Sequence, residues 1–361
     1  MTRSASVQPV DFLVNLPALR LERGGVVRRH RLHGWWYGPE GDTPEKPRRD
    51  VPTVLLVHAL TGSARAGGPD GWWEPVIGPG RALDPTRHRL ICFNNLGSFY
   101  GSSAPGVPGF PRGAKITLTP SDLARSILLG LDALGIRQVH LALGGSLGGM
   151  VVLSLAALAP RRFERILPIA TSTAASAWVV GWNHVAREIL RLDPGYPHNT
   201  DRGLEVARQL AMLTYRAEPG LEATQHRDLP ALGGGRGYRI QSYLEHHGRK
   251  LNNRFTVRCY ELLLDAMDHH DLRRPLSGHP VGRRSALDRI RASTLVADVS
   301  TDQLFTPAQA DELARALRRA GHARVVRATI RSPHGHDAFL LEWRQLAAII
   351  RRALRLPLPR S

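Results

Sequence analysis

Short, almost uninterrupted apolar runs recur along the first half of the chain: TVLLVHAL at 53–60, RLICFNN at 89–95, QVHLALGG at 138–145 and RILPIAT at 165–171. Runs of that length predict strands buried on both faces, as in a parallel sheet. Between them SDLARSILLGLDALGI repeats apolar residues at helical spacing, with Ser121 as its expected N-cap, and MVVLSLAALA predicts a second helix. Strands alternating with helices make an α/β fold with a mostly parallel sheet. Upstream, ALRLERGGVVRRHRLHGWWYG alternates around Gly24-Gly25 and predicts a hairpin.

From 176 to 289 the rhythm changes. Strand-like runs vanish, and polar helical segments such as WVVGWNHVAREILRL and RGLEVARQLAMLTYR replace them, interrupted by ALGGGRGY at 231–238. The pattern divides the chain into a core, 1–175 and 290–361, and a helical insertion, 176–289. STLVADVS at 293–300 and ARVVRATIRS at 323–332 then restore strands, and DAFLLEWRQLAAIIRRAL predicts one long closing helix. No apolar run reaches the length that spans a bilayer. The first 25 residues contain no apolar stretch with a small-residue cleavage site. Cys92 and Cys259 offer neither a disulfide framework nor a metal spacing, so a reducing cytoplasm is expected, with no metal and no bound cofactor.

Charge alters this picture less than its size suggests. Forty-nine Lys and Arg against 31 Asp and Glu leave a formal charge of +18. Lysine stands only at 46, 115 and 250, and the arginines are spread along the chain. The densest clusters, RRHR at 28–31 and RRALR at 351–355, are not interleaved with aromatics as a single-strand nucleic-acid platform would be. A solvated arginine-rich surface is the reading taken, with no nucleic-acid or membrane partner.

Chemistry enters at Gly144-Gly145-Ser146-Leu147-Gly148, a G-x-S-x-G string with a strand before it and a helix after it. That context pushes a serine out of a sharp turn as a nucleophile, and the glycines let neighbouring backbone pass close. A serine nucleophile needs a base, and in this architecture the partners follow in the order acid, then histidine, each after a strand. Asp302 in STDQLF is the candidate acid. The helix after it has its own start signal in Thr306, Pro307 and Gln309, so Asp302 is not needed as a cap. Asp298, inside the strand pattern, is the weaker candidate. The base lies in SPHGHDAFL, where spacing alone leaves His334 and His336 open. An oxyanion hole would take the backbone N–H of Leu147 and one from the small-residue turn HALTGSA, with Leu60 as candidate.

These motifs carry a resemblance. HALTGSA, GWWEPVIGPGRALD, GGSLGGM, GLEVARQLAMLTYR, TDQLF and HGHDAFL stand in the same order in the homoserine O-acyltransferases of methionine biosynthesis, from about residue 50 onward. The resemblance implies an α/β-hydrolase fold with a helical lid, commonly a homodimer through that lid. It implies Ser146, Asp302 and His336 as a triad, Leu60 in the oxyanion hole, and Arg208, Asp337 and Tyr215 at the substrate. Acetyl-CoA would be co-substrate and homoserine acceptor; part of the positive charge would then attract the anionic thioester. An arginine suits the acceptor's carboxylate and an aspartate its ammonium. The bland roles for the two are an exposed helix charge for Arg208 and a helix N-terminal charge for Asp337. The chain departs from the family's common pattern in its short FYGSSAPGVPGFP segment at 99–111, in Thr256 where aspartate is common, and in Arg65 where histidine is frequent. Those positions bear on donor and acceptor. The rival readings are succinyl-CoA as donor, serine as acceptor, a hydrolase passing the acyl group to water, and a silent scaffold.

Overall fold

The computed structural model describes residues 9–111, 116–198, 201–227, 237–276, 285–321 and 324–358. Eight strands make one sheet. β1 (Val10–Asn15) and β4 (Arg31–Tyr37) are antiparallel at one edge. β6 (Arg89–Phe93), β5 (Thr53–Val57), β7 (Leu141–Gly145), β8 (Arg165–Ile169), β9 (Ser293–Val299) and β10 (Val325–Ile330) follow in that spatial order, all parallel. Every residue of β5 to β9 is buried, which is why their sequences read as unbroken apolar runs. Each large aliphatic side chain so placed contributes about 1.5–3 kcal/mol.

β1 was not evident in the sequence. The predicted hairpin is real but shorter: β2 (Leu19–Arg20) pairs β3 (Val26–Val27) around Gly24 and Gly25, both at positive φ. The second half of that stretch, β4, instead joins the main sheet.

α1 (Pro120–Ala133) and α2 (Leu147–Leu158) lie between strands, as the pattern predicts. The cap of α1 is Thr119, not Ser121. Its side chain takes the Asp122 N–H, the Asp122 carboxylate takes the Thr119 N–H at 3.1 Å, and Pro120 fills the first helical position. Ser121 is the second residue of the helix, two places past the position from which a side chain caps.

Between β8 and β9 the described residues form no strand in the main sheet. They form α3 (Ala177–Arg191), α4 (Asp201–Tyr215), α5 (Glu218–Gln225), α6 (Arg239–Asn252) and α7 (Val257–Asp268). The glycine cluster at 231–238 lies outside the described residues through 236. After β9 comes α8 (Pro307–Arg319), whose Thr306 and Gln309 form the expected capping box.

The closing helix is broken in two, α9 (Ala338–Leu341) and α10 (Trp343–Leu354). In a continuous helix the carbonyls of Phe339 and Leu340 would accept from residues 343 and 344. Here the Trp73 indole takes the first at 3.0 Å and the Trp343 indole the second at 2.7 Å.

The glycines of the elbow are sterically required. A methyl on Gly144 would lie 2.6 Å from the Val57 carbonyl oxygen, and one on Gly148 would fall inside that oxygen's contact shell. Gly148→Ala is expected to lose about 3 kcal/mol, because both groups in the clash are backbone. Gly149→Ala should lose less, since its methyl meets a rotatable Thr171 side chain at 2.9 Å. Urea unfolding of the two variants checks the order.

Candidate functional site

Ser146 joins β7 to α2 with φ +58° and ψ −125°. A non-glycine residue there costs on the order of 1–3 kcal/mol and persists only where its surroundings impose it. Its N–H is held by the Ile169 carbonyl at 2.9 Å, its own carbonyl takes Met150 N–H at 3.1 Å, and it is 5% exposed.

Asp302 sits in the turn after β9, its carboxylate fully buried. Oδ1 accepts the N–H groups of Leu304 and Phe305 at 2.8 and 2.9 Å. Oδ2 faces Nδ1 of His336 at 2.6 Å, so the imidazole donates from Nδ1 and leaves Nε2 free to accept. The structure thus separates the candidates. His334 is turned toward Arg216, with Nδ1 3.4 Å from Nη2, and Asp298 is held by Arg327 and by Thr329 at 3.0 Å.

The acid and base turns are bolted together by Thr301, whose hydroxyl donates to the Ser332 carbonyl at 2.7 Å and accepts Gly335 N–H at 3.0 Å. Three rings wall the His336 imidazole: Phe305 at 5.4 Å, Phe339 at 5.6 Å and, from the end of α4, Tyr215 at 5.7 Å between centroids. Phe339 also packs on the elbow, since a methyl on Gly145, just before Ser146, would lie 2.5 Å from its ring.

Burial pulls the His336 pKa down, but the charge and hydrogen bond of Asp302, with help from Asp337, outweigh it; the net shift is upward. Asp337 is pushed up by burial, against the opposing charges of Arg208, His336 and Arg216. The Arg208 guanidinium lies 5.4 Å from the Tyr215 ring centroid. Arg208, Tyr215 and Asp337 are therefore gathered beside the imidazole. Leu60 and Leu147 are buried, and among the described residues the backbone N–H of neither donates to another protein group.

The sequence did not single out Arg216, whose charge acts on Asp337, nor Thr301, nor Arg254, which donates to the Thr61 carbonyl at 2.6 Å and to the Tyr100 hydroxyl. Arg216 is the last residue of GLEVARQLAMLTYR. Arg254 has no local signal, being joined to its partners only by the fold. A cavity of about 790 Å³ lies away from Ser146 and His336, between Pro105, Phe110, Pro111 and Ile116 on one side and helices α3 and α7 on the other. Among the described residues no group of His, Cys, Asp and Glu is arranged to hold a metal, and no helix is long and apolar enough to cross a membrane.

An α/β-hydrolase-fold family model matches residues 52–342. A homoserine O-acetyltransferase from Moorella thermoacetica is 38% identical over 331 residues, 84% of this chain and 86% of that protein. The chain belongs to the homoserine O-acetyltransferase family. It is therefore an acyltransferase-family enzyme on an α/β-hydrolase fold. A Bacillus anthracis homoserine O-acetyltransferase structure superposes with TM-score 0.81 at 20% identity, covering 98% of this chain and 99% of that one. An acetylester hydrolase from Corynebacterium glutamicum superposes at 0.77 with 18% identity, covering 96% of each. Likeness at those identities shows the fold alone.

Two departures from the acetyltransferase pattern gain a physical account. Thr256 caps α7, its hydroxyl accepting the Cys259 N–H at 3.3 Å, so exchange with aspartate swaps one good N-cap for another. Arg65 lies over the Trp35 ring, 5.5 Å from its centroid.

A base must be neutral to accept a proton. With its pKa raised, His336 stays protonated to higher pH than a free imidazole, so acylation should lose activity on the acid side with a midpoint above 6.5. Asp302→Asn should move that midpoint down and cut the rate on the order of 10⁴-fold. A pH profile of pre-steady-state acylation measures both.

Proposed function

We propose that the protein moves an acetyl group from acetyl-CoA to the hydroxyl of L-homoserine through an acyl-enzyme on Ser146, serving methionine biosynthesis in the cytoplasm. Ser146 Oγ attacks the thioester carbonyl as its proton passes to His336 Nε2. The oxyanion is held by the N–H groups of Leu60 and Leu147, each worth on the order of 3 kcal/mol. The tetrahedral intermediate expels coenzyme A, whose sulfur takes the proton from His336. Homoserine then enters, His336 removes its hydroxyl proton, and the alkoxide takes the acetyl group and regenerates Ser146. Asp302 keeps the imidazole oriented and stabilises it when charged.

One observation carries the acceptor. A lid arginine, Arg208, and a base-turn aspartate, Asp337, act electrostatically on each other beside His336, with Asp337's carboxyl raised by burial. Half-buried charges of opposite sign flanking a general base suit a zwitterion, the guanidinium for its carboxylate and the carboxylate for its ammonium. The Moorella relative's name supports homoserine and acetyl. Pairing of two copies through the lid is supported by the exposed apolar side chains of α3, Trp178 at 55% and Val185 at 43%.

The acyl donor and acceptor are tested together. The protein is incubated with acetyl-CoA or succinyl-CoA, adding homoserine, serine or neither, and free thiol is followed. Homoserine with acetyl-CoA should give the fastest sustained release. Release that no amino alcohol accelerates would establish the hydrolase reading instead. Arg208→Ala should leave the acceptor-free burst near its original size. It should weaken acceptor use by about 2–5 kcal/mol, because a carboxylate loses its buried partner. Equal slowing of both phases would remove the clamp from the reading.

A further inference from the structure

The turn after β5 holds a histidine that the chemistry above leaves unused. His58 is fully buried. Its Nε2 lies 3.0 Å from the backbone N–H of Asn95, a group that only donates. Nε2 therefore accepts, and the proton of the neutral ring sits on Nδ1. Nδ1 is 2.7 Å from the Ala59 carbonyl oxygen, which also accepts Gly62 N–H at 3.0 Å. Burial drives the imidazole pKa down to about 4, against the Ala59 bond and with the help of the Arg254 charge, so the ring is neutral at working pH.

The Ala59 carbonyl and the Leu60 N–H are the two ends of one peptide unit. That unit is planar and trans, so its C=O and N–H point in opposite directions. Whatever fixes the carbonyl fixes the N–H. Two donors converge on the carbonyl from the protein side, while among the described residues the Leu60 N–H has no protein acceptor. The same turn abuts the elbow: a methyl on Gly148 would lie 3.0 Å from the His58 carbonyl oxygen.

We propose that His58 is a positioning residue for the oxyanion hole: its Nδ1–H pins the Ala59–Leu60 peptide so that the Leu60 N–H faces the acyl oxygen on Ser146. This deepens the acyl-transfer reading and rests on its assignment of Leu60. The competing account is that His58 only staples the turn after β5 to the turn after β6 through Asn95.

Two substitutions divide the accounts, because each keeps one half of the imidazole. In His58→Asn the amide nitrogen takes the place of Nδ1 and keeps the bond to Ala59. In His58→Gln the amide oxygen takes the place of Nε2 and keeps the bond from Asn95. Acylation is read as the p-nitrophenolate burst from p-nitrophenyl acetate and as thiol release from acetyl-CoA, with melting temperatures recorded in parallel. His58→Asn should stay within about fivefold of the parent, whereas His58→Gln should lose roughly 10- to 100-fold in acylation rate, less than the 10²–10³ of a donor removed outright. KM for the ester should change less than about twofold, since the lost interaction forms only in the transition state.

The reverse order, equal losses that follow melting temperature, or no loss in His58→Gln would each overturn the proposal. Nitrogen-15 spectra of the unaltered protein give an independent check if a variant does not fold: a proton on Nε2 rather than Nδ1 overturns it. The ester probe keeps this test apart from the transfer reading. Parent protein that gives the phenolate burst but no thiol release refutes acetyl-CoA as donor and leaves the Asn and Gln comparison standing. Parent protein that gives neither overturns both.

Discussion

The site is organised by one steric contact, the Val57 carbonyl lodged between Gly144 and Gly148. β5 and β7 pair with Val57 opposite Gly144, so the end of β5 and the start of the elbow occupy the same height in the sheet. No side chain fits between them. The turn at 58–62 therefore leaves β5 directly against the first turn of α2. This contact brings the Leu60 N–H, the proposed donor, near Ser146, and leaves the angle of the Ala59–Leu60 peptide to the His58 bond. The strain at Ser146 is held by the same packing: the sheet grips its N–H through Ile169, and α2 is buried along almost its whole length.

The helices between β8 and β9 contribute side chains beside His336. A methyl on Gly335 would lie 2.6 Å from the Ala217 nitrogen, so the end of α4 rests on the turn that carries His336, which takes φ +67° at that glycine. Tyr215 supplies one wall of the imidazole, and Arg254 grips the Thr61 carbonyl in the turn that holds Leu60. Displacing these helices would loosen the base and the oxyanion turn together.

Much of this was legible from local pattern. Buried strands announced themselves as apolar runs, and the elbow as glycines around a serine, because each follows from short-range sterics. Choosing His336 over His334 did not follow from spacing. It depends on a turn that puts one ring on Asp302 and the other toward Arg216, and only the family's motif pointed to it beforehand. The break between α9 and α10 was invisible for a related reason: one of the two indoles that bond its freed carbonyls lies 266 positions away. His58 lies in HALTGSA yet drew no role, since its tautomer is set by Asn95 from the turn after β6.

The fold does not distinguish transfer from hydrolysis, for an acetylester hydrolase shares it. What decides is whether a bound hydroxyl outcompetes water for the acyl-enzyme. Holding the acceptor against the ester raises its effective concentration, by up to about 10⁵–10⁸ M in well-oriented intramolecular reactions. The aromatic rings of Tyr215, Phe305 and Phe339 reduce water's approach to the imidazole. Asp337 adds a directional term. Its carboxyl is raised because burial strips it of water, and an ammonium ion arriving beside it would repay that loss by stabilising the ionised form. A neutral alcohol or water offers no such compensation. Arg208 and Arg216 already relieve part of that cost, and in the proposed reaction a cationic acceptor would relieve more of it on the same turn that carries His336.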